Sequence, residues 1–286
     1  MLQKDGILYK TFAIENLIIK LMEILGYFFS IVIGISLGLI GGGGSILTVP
    51  VLVYIFKVDA VTATGYSLFI VGLTSAVGTV SYFKNGLVNV KTALIFGAPS
   101  IAAVFFTRSL IVPAIPKEVL SIGEFVVTKS ILMMLIFAVL MIAASYSMIK
   151  KDKKKDNENQ GKQKFNYPLI LIEGAVVGVL TGLVGAGGGF LIIPALVVLS
   201  KLPMKEAVGT SLVIIAAKSL IGFVGEASET QLNWQLLASV SAFAIIGIFI
   251  GTMLSKKIDG AKLKPAFGWF VLVMGIYIII KETILN

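Results

Sequence analysis

Cysteine and histidine are both absent from this 286-residue chain, and arginine occurs once, as Arg108, among 24 basic residues. Their absence excludes disulfides, a thiol nucleophile, an imidazole proton relay and the usual zinc, copper and haem ligand sets. Charge of either sign is also scarce. Only 14% of residues are Asp, Glu, Lys or Arg, against 57% that are hydrophobic, and the mean hydropathy is +0.99. A water-soluble domain carries roughly 25% charged residues and has too little interior to hide so much apolar surface. Soluble enzyme, nucleic-acid-binding protein and disordered tail are thereby excluded. What is left is an integral membrane protein in which the few polar residues carry the information. No metal or cofactor is expected, and paired membrane carboxylates at metal-ligand spacing are lacking, which argues against an enzyme.

What is abundant is apolar sequence in runs of bilayer length, about 20 residues each. The predicted fold is an all-α polytopic membrane protein with about eight spans, at 21–40, 63–82, 90–110, 123–148, 167–185, 207–225, 232–254 and 265–281. Residues 1–20 mix Ile, Leu and Phe with Lys4, Lys10, Glu15 and Lys20 and read as an amphipathic interfacial segment. Two further apolar runs, Ser45–Phe56 and Phe190–Leu199, are too short to span and suit re-entrant or broken helices. Between the spans, residues 149–166 form a linker. Its stretch KKDKKKDNENQGKQK holds seven Lys against three acidic residues, a net +4, which places it on the cytoplasmic side.

An internal repeat organises these segments. Shifting the chain by 144 residues lays GLIGGGGSILTVP, 38–50, on GLVGAGGGFLIIP, 182–194, and ATGYSL, 63–68, on AVGTSL, 207–212. Glycines and prolines that repeat without a gap do not arise from hydrophobicity, so 21–148 and 167–286 read as duplicated halves. Four spans per half predict parallel repeats with both chain ends in the cytoplasm. That arrangement conflicts with the charge bias of the second half, because it puts Lys256, Lys257, Lys262 and Lys264 outside and Glu226 and Glu229 inside. Treating the broken-helix region as a crossing removes the conflict.

Repeated halves built on discontinuous helices are the architecture of secondary transporters, with substrate held near the midplane. Gly41–Gly44 and Gly185–Gly189 each precede a short helix, whose unpaired N–H groups and positive dipole end can hold an anion. The predicted binding residues are Gly43, Gly44, Ser45, Gly187, Gly188 and Gly189, joined by the equivalent hydroxyls Ser67 and Ser211 and by Lys218. The alternative for the glycines is close helix packing. Neither glycine run is a nucleotide loop, since GLIGGGG leads into Ser45 and Ile46. Lys218 lies near the middle of the sixth span, where its repeat counterpart is Thr74. Contact with the anion, pairing with Glu173 and snorkelling to the surface are its three readings. Glu173 is also the candidate proton carrier. Asn89 and Asn233, at equivalent places, read as helix caps.

The two glycine-rich segments, the ATGYSL and AVGTSL segments after them and the charged central loop resemble the TauE/SafE family of sulfite exporters, bacterial inner-membrane permeases. The resemblance covers about residues 21–281. It implies movement of a small anion, such as sulfite, an organosulfonate or a small carboxylate, without ATP hydrolysis, and it carries a role onto Gly41, Gly43, Gly44, Gly185, Gly187 and Gly188. The halves differ at Gly42 against Ala186 and at Ser45 against Gly189, so they need not contact substrate equally. The partners implied are the anion, membrane lipid and a coupling proton; nucleic acid is not expected. A channel-like pore sharing the same half-helices is the alternative reading.

Overall fold

At membrane depth the backbone must satisfy its own hydrogen bonds, which leaves helix as the default conformation. The computed structural model follows this rule. It describes residues 2–122, 125–149, 167–185, 187–198, 202–227, 232–255, 257 and 260–284. The expected linker stretch 150–166, with Glu124, Ala186, Lys201, Glu229 and Lys256, lies outside the described residues.

The first half runs α1 (Leu2–Ile40), α2 (Gly43–Pro50) with a π-helical turn (Val51–Ile55), α3 (Ala60–Lys84), and α4 (Val90–Phe106) with a second π-helical turn (Thr107–Ile111) and the single turn α5 (Val112–Ala114). A hairpin of β1 (Glu118–Ile122) and β2 (Phe125–Thr128) leads into α6 (Lys129–Ile149). The second half is α7 (Tyr167–Val184), α8 (Gly189–Val198), α9 (Met204–Ala227), α10 (Trp234–Leu254) and α11 (Gly260–Ile284). Residues 2–20 are not set off by a break, because α1 runs through them from Leu2.

The span count needs correction. Among the described residues, six helices are long and apolar enough to cross a membrane, not eight: Lys20–Ile40, Ala60–Lys84, Val90–Ala114, Lys129–Tyr146, Met204–Gly225 and Trp234–Leu254. The expected fifth span is a shorter apolar helix, Pro168–Val184, which stops at the second glycine break. The expected eighth lies within α11 and is not among the six. The fourth span also starts later than 123. The β-branched and aromatic run FVVT pairs with EVLSI, with Ile122 opposite Phe125 and Leu120 opposite Val127, so helix begins only at Lys129.

The direction of the chain decides how the halves are related. Gly44 packs against the Ile33 carbonyl and Leu37, and Gly26 sits beneath the Phe56 ring. Therefore α2 and its π-helical turn run back along α1, and the chain returns to the side from which α1 came. There Val58 N–H bonds the Leu52 carbonyl at 3.0 Å and Asp59 caps α3 by accepting from Val61 N–H. Ser130 donates to the other oxygen of Asp59 at 3.0 Å, so α6 starts on that same side. With α1 and α2 as a hairpin, each half crosses an odd number of times.

The halves are accordingly inverted, not parallel as first predicted. Equivalent helices α3 and α9 pack antiparallel: Leu68 meets Gly222, Gly72 meets Leu220, and Gly78 meets Leu212. Because 68 and 212 are equivalent, as are 78 and 222, these contacts exchange under a two-fold axis lying across the helices. The same exchange governs the flanks. Gly34 and Gly38 of α1 pack on α10 at Gly247, Ile248 and Gly251, while Gly174 and Gly178 of α7 pack on the Phe96 and Ser100 carbonyls of α4. Small residues let these backbones approach, as membrane helix pairs require. Asn89 and Asn233 cap α4 and α10 as expected, accepting from Thr92 and Leu236 N–H. Their own N–H groups bond the equivalent residues Thr210 at 2.9 Å and Tyr66 at 2.6 Å, which ties each half to the other.

Gly34→Ala is expected to destabilise the protein by about 1–3 kcal/mol, since its methyl would meet the Ala244 carbonyl. Gly97→Ala has no neighbour closer than 3.7 Å and should stay within about 0.5 kcal/mol of the parent. Thermal unfolding of both variants in detergent checks this; equal midpoints would show that the α1–α10 seam tolerates separation.

Candidate functional site

The site is built from the two glycine breaks where they meet the α3–α9 seam. Gly41, Gly185, Gly187 and Gly188 have φ of +75, +71, +62 and +70, left-handed values that a side chain adopts only with strain. These dihedrals let α1 and α7 stop abruptly and α2 and α8 start. Gly42, the N-cap of α2, touches the backbone of Gly189, the first residue of α8. The N-termini of the two short helices thus abut, and neither glycine has room for a side chain. Val71 and Ser219 flank Gly187, and Ile215 flanks Gly189, so the junction lies beside the middle of α3 and α9.

Lys218 is fully buried. Its Nζ donates to Thr181 Oγ1 at 3.0 Å, and a Cβ on Gly188 would lie 2.7 Å from it. The amino nitrogen therefore sits at the mouth of α8, against the left-handed turn. Thr181 in turn donates to the Gly178 carbonyl at 3.3 Å, which leaves its lone pairs directed to the lysine. Lys218 does not pair with Glu173. Thr181 takes that place, two helical turns further along α7, about 12 Å away at 1.5 Å per residue. Snorkelling is likewise not what the side chain does. Glu173 is partly buried, with Oε2 in contact with no hydrogen-bond partner among the described residues.

The hydroxyls divide into two groups. Ser45 donates to the Gly42 carbonyl at 2.7 Å, and Ser211 lies 2.8 Å from the Val208 carbonyl and 3.2 Å from that of Gly41. These two brace the first turn. By contrast, Ser67, Thr74 and Ser75 on α3 and Ser219 on α9 are buried with no hydrogen-bond partner among the described residues. A buried unpaired hydroxyl is costly, so oxygens that can donate line the seam beside the helix N-termini without a protein acceptor. Gly44 packs on α1, while Gly43 is the first residue of α2.

Sequence reasoning did not place Arg108, Thr64 or Thr181 in the site. Arg108 is 1% exposed, lies in the second π-helical turn and donates from Nη1 to Thr64 Oγ1 at 2.9 Å. Gly185 packs directly on Thr64 and on the Arg108 guanidinium. The repeat held the signal for all three. Arg108 stands opposite Thr252, Thr181 opposite Leu37 and Thr64 opposite Val208, the same kind of mismatch that set Lys218 against Thr74. The second glycine turn is consequently polar and cationic, and the first is lined by Leu37, Val208 and Ser211.

Gly188→Ala is expected to lower stability by about 1–2 kcal/mol through its left-handed backbone alone, and to abolish transport through the clash with Thr181. Unfolding midpoint and solute flux, measured at matched expression, test this. Normal flux in the Ala variant would remove the second turn from the site.

The family model described as Sulfite exporter TauE/SafE matches residues 27–278. A probable membrane transporter protein of Xylella fastidiosa is 28% identical over 251 residues, covering 86% of this chain and 91% of that protein. The probable membrane transporter protein YunE of Bacillus subtilis is 30% identical over 247 residues, covering 80% and 88%. YdhB of the same organism, described in the same words, is 28% identical over 236 residues, covering 82% and 91%. No solved structure matches the chain.

Proposed function

The chain belongs to the TauE/SafE family of membrane transporters, multi-pass proteins of the inner membrane, and on that premise we propose that it is a secondary transporter for a small anion held where the N-termini of α2 and α8 meet. The observation that carries this reading is Lys218: a fully buried lysine at the mouth of α8, with a neutral hydroxyl as its partner. A cation at membrane depth is expensive, and an anion that arrives to share the site offsets part of that cost. The two helix N-termini and the unpartnered hydroxyls Ser75 and Ser219 add donors for oxyanion oxygens. Sulfite, organosulfonates and small carboxylates all present such oxygens.

Inversion supplies the means of alternating access. The α2 arm runs from the junction towards one membrane face and the α8 arm towards the other, so movement of either arm against the α3–α9 seam opens the same site to one side only. We read α7 and α11 as membrane-embedded counterparts of α1 and α6, which completes two equivalent halves. Inversion also reconciles the charges. Lys84, Lys91, Lys205 and Lys257 fall on one side with Lys262 and Lys264, while Glu118 and Glu226 fall on the other. The lysine-rich side is cytoplasmic by the positive-inside bias. Across an inside-negative membrane, export of a monoanion gains about 2.3 kcal/mol per 100 mV, so efflux needs no further energy source. Glu173 remains the carboxylate able to carry a coupling proton.

Two experiments test this. Lys218→Met should weaken anion binding by about 10-fold to 150-fold, the worth of a charge-assisted hydrogen bond, while the protein still assembles. Titration of purified protein with sulfite and acetate reads it, and unchanged affinity for both would end the proposal. For orientation, the chain has no native cysteine, so Asn85→Cys and Ser121→Cys are single-label proteins. In intact cells an impermeant thiol reagent should modify position 121 and not 85; the opposite pattern would reverse the topology.

A further inference from the structure

The two short arms that meet at the junction are not held alike at their far ends. After Pro50 the α2 arm continues as the π-helical turn Val51–Ile55, and Lys57 beyond it has φ of +57, a left-handed value for a residue other than glycine. Proline lacks the N–H that would bond back along α2, and π-helical turns bend a helix. The base of this arm is therefore where its direction can change. Tyr54, within the turn, is gripped by three side chains of α11. Its hydroxyl donates to Glu282 Oε1 at 3.0 Å, its ring meets that of Tyr277 edge-on at 5.6 Å, and Lys281 Nζ lies 4.6 Å from the ring centre. Phe56, next along the chain, covers Gly26 and lies 5.7 Å from the Tyr27 ring of α1. In the second half the positions equivalent to Tyr54, Phe56 and Tyr27 are Val198, Ser200 and Leu171. At the junction Ser75, Lys218 and Ser219 are fully buried, so both arms are closed in this structure.

We propose that Glu282 is the latch of the gate formed by the α2 arm: through Tyr54 it holds that arm shut at the face where α3 begins, and the site opens to that face only when this bond breaks. The proposal rests on the reading of α2 and α8 as opposing gates. Glu282 acts through Tyr54 and is a positioning residue for the arm. Its burial, 8% exposed, limits the competition of water for its oxygens, which strengthens the bond it accepts. The helix that carries it is a fixed post, because α11 packs along α6, with Gly275 against the Ala138 carbonyl and Met141. One hydrogen bond and its ring contacts form a modest barrier, which suits a latch released in every cycle. Valine has no side-chain donor, so Val198 gives the α8 arm no latch of this kind. By the charge bias the latched face is the outer one, and the two faces of the membrane are thus gated unequally.

The test again uses the lack of native cysteine. Ala63 on α3 and its equivalent Ala207 on α9 are fully buried, the first in one cluster with Leu52 and Phe56 of the α2 arm and the second in one with Leu196 of α8. Ala63→Cys and Ala207→Cys thus report the opening of one arm each. Full-length protein carrying either cysteine is treated with an impermeant thiol reagent, in right-side-out membrane vesicles for position 63 and in inside-out vesicles for position 207. Tyr54→Phe and Glu282→Leu should each raise the modification rate at 63 by about 3-fold to 10-fold, the worth of one net hydrogen bond, and change that at 207 by less than about 2-fold. Glu282→Gln keeps an acceptor for the tyrosine and should stay within about 2-fold of the parent at both positions, which guards against a Leu variant that misfolds. Equal acceleration at 63 and 207 would mean general loosening and overturn the latch, as would unchanged rates at 63 in both Tyr54→Phe and Glu282→Leu. Acceleration in Glu282→Gln as large as in Glu282→Leu would deny the Tyr54 bond its part. These outcomes leave the α2 arm as a gate, whereas no modification at 63 in any form, the parent included, would remove that gate and the latch with it.

Discussion

Backbone polar groups in the middle of a membrane must be satisfied, and this chain interrupts its helices there twice. Everything else in the structure serves to make those interruptions tolerable. The left-handed glycines allow α1 and α7 to end within a residue or two, and the abutting starts of α2 and α8 shield each other from lipid. The unpaired N–H groups that remain are what the two breaks gain: a concentrated source of donors in a low-dielectric place. The α3–α9 seam walls this junction, and the glycine contacts of α1 with α10 and α7 with α4 hold the outer helices close around it.

Symmetry builds this frame and asymmetry gives it chemistry. Contacts that carry the fold occur in exchanged pairs, such as the hydrogen bonds from Asn89 to Thr210 and from Asn233 to Tyr66. Groups that carry charge do not. Lys218, Arg108, Thr181 and Thr64 all gather at the second turn, and their counterparts are Thr74, Thr252, Leu37 and Val208. An inverted frame needs both halves to pack alike, which keeps glycines and caps in register. In the proposed site only one of the two turns has to meet the ligand, so the other is free to be apolar.

Part of the proposed site was legible before the fold was known. Lys218 stood out because a lysine in the centre of an apolar run has a cost that residues beside it in sequence do not relieve. Arg108 carries the same cost but escaped notice, since it falls near the end of a run, where a cation can reach water; only the π-helical turn and the contact with Gly185 show that it turns inward. One of the three readings of Lys218 paired it with the nearest embedded carboxylate, Glu173, and its partner is a threonine two turns away. Choosing between them requires the rotation of α7 about its axis, which its packing on α4 sets.

By itself the sequence determined that the protein lies in a membrane, that it is duplicated, where its helices break and how α4 and α10 are capped. Each of these is a property of contiguous residues: hydropathy, glycine and proline, or an asparagine three residues before the N–H it accepts from. Tertiary structure alone decided that the halves are inverted, that residues 125–128 are strand and that two cations share one turn. Hydropathy has no sign along the chain, so a hairpin such as α1–α2 and a full crossing read alike. The direction of α9 relative to α3 comes from packing between residues more than 130 positions apart, such as Gly78 and Leu212, and in the sequence only the charge bias of the second half pointed to it.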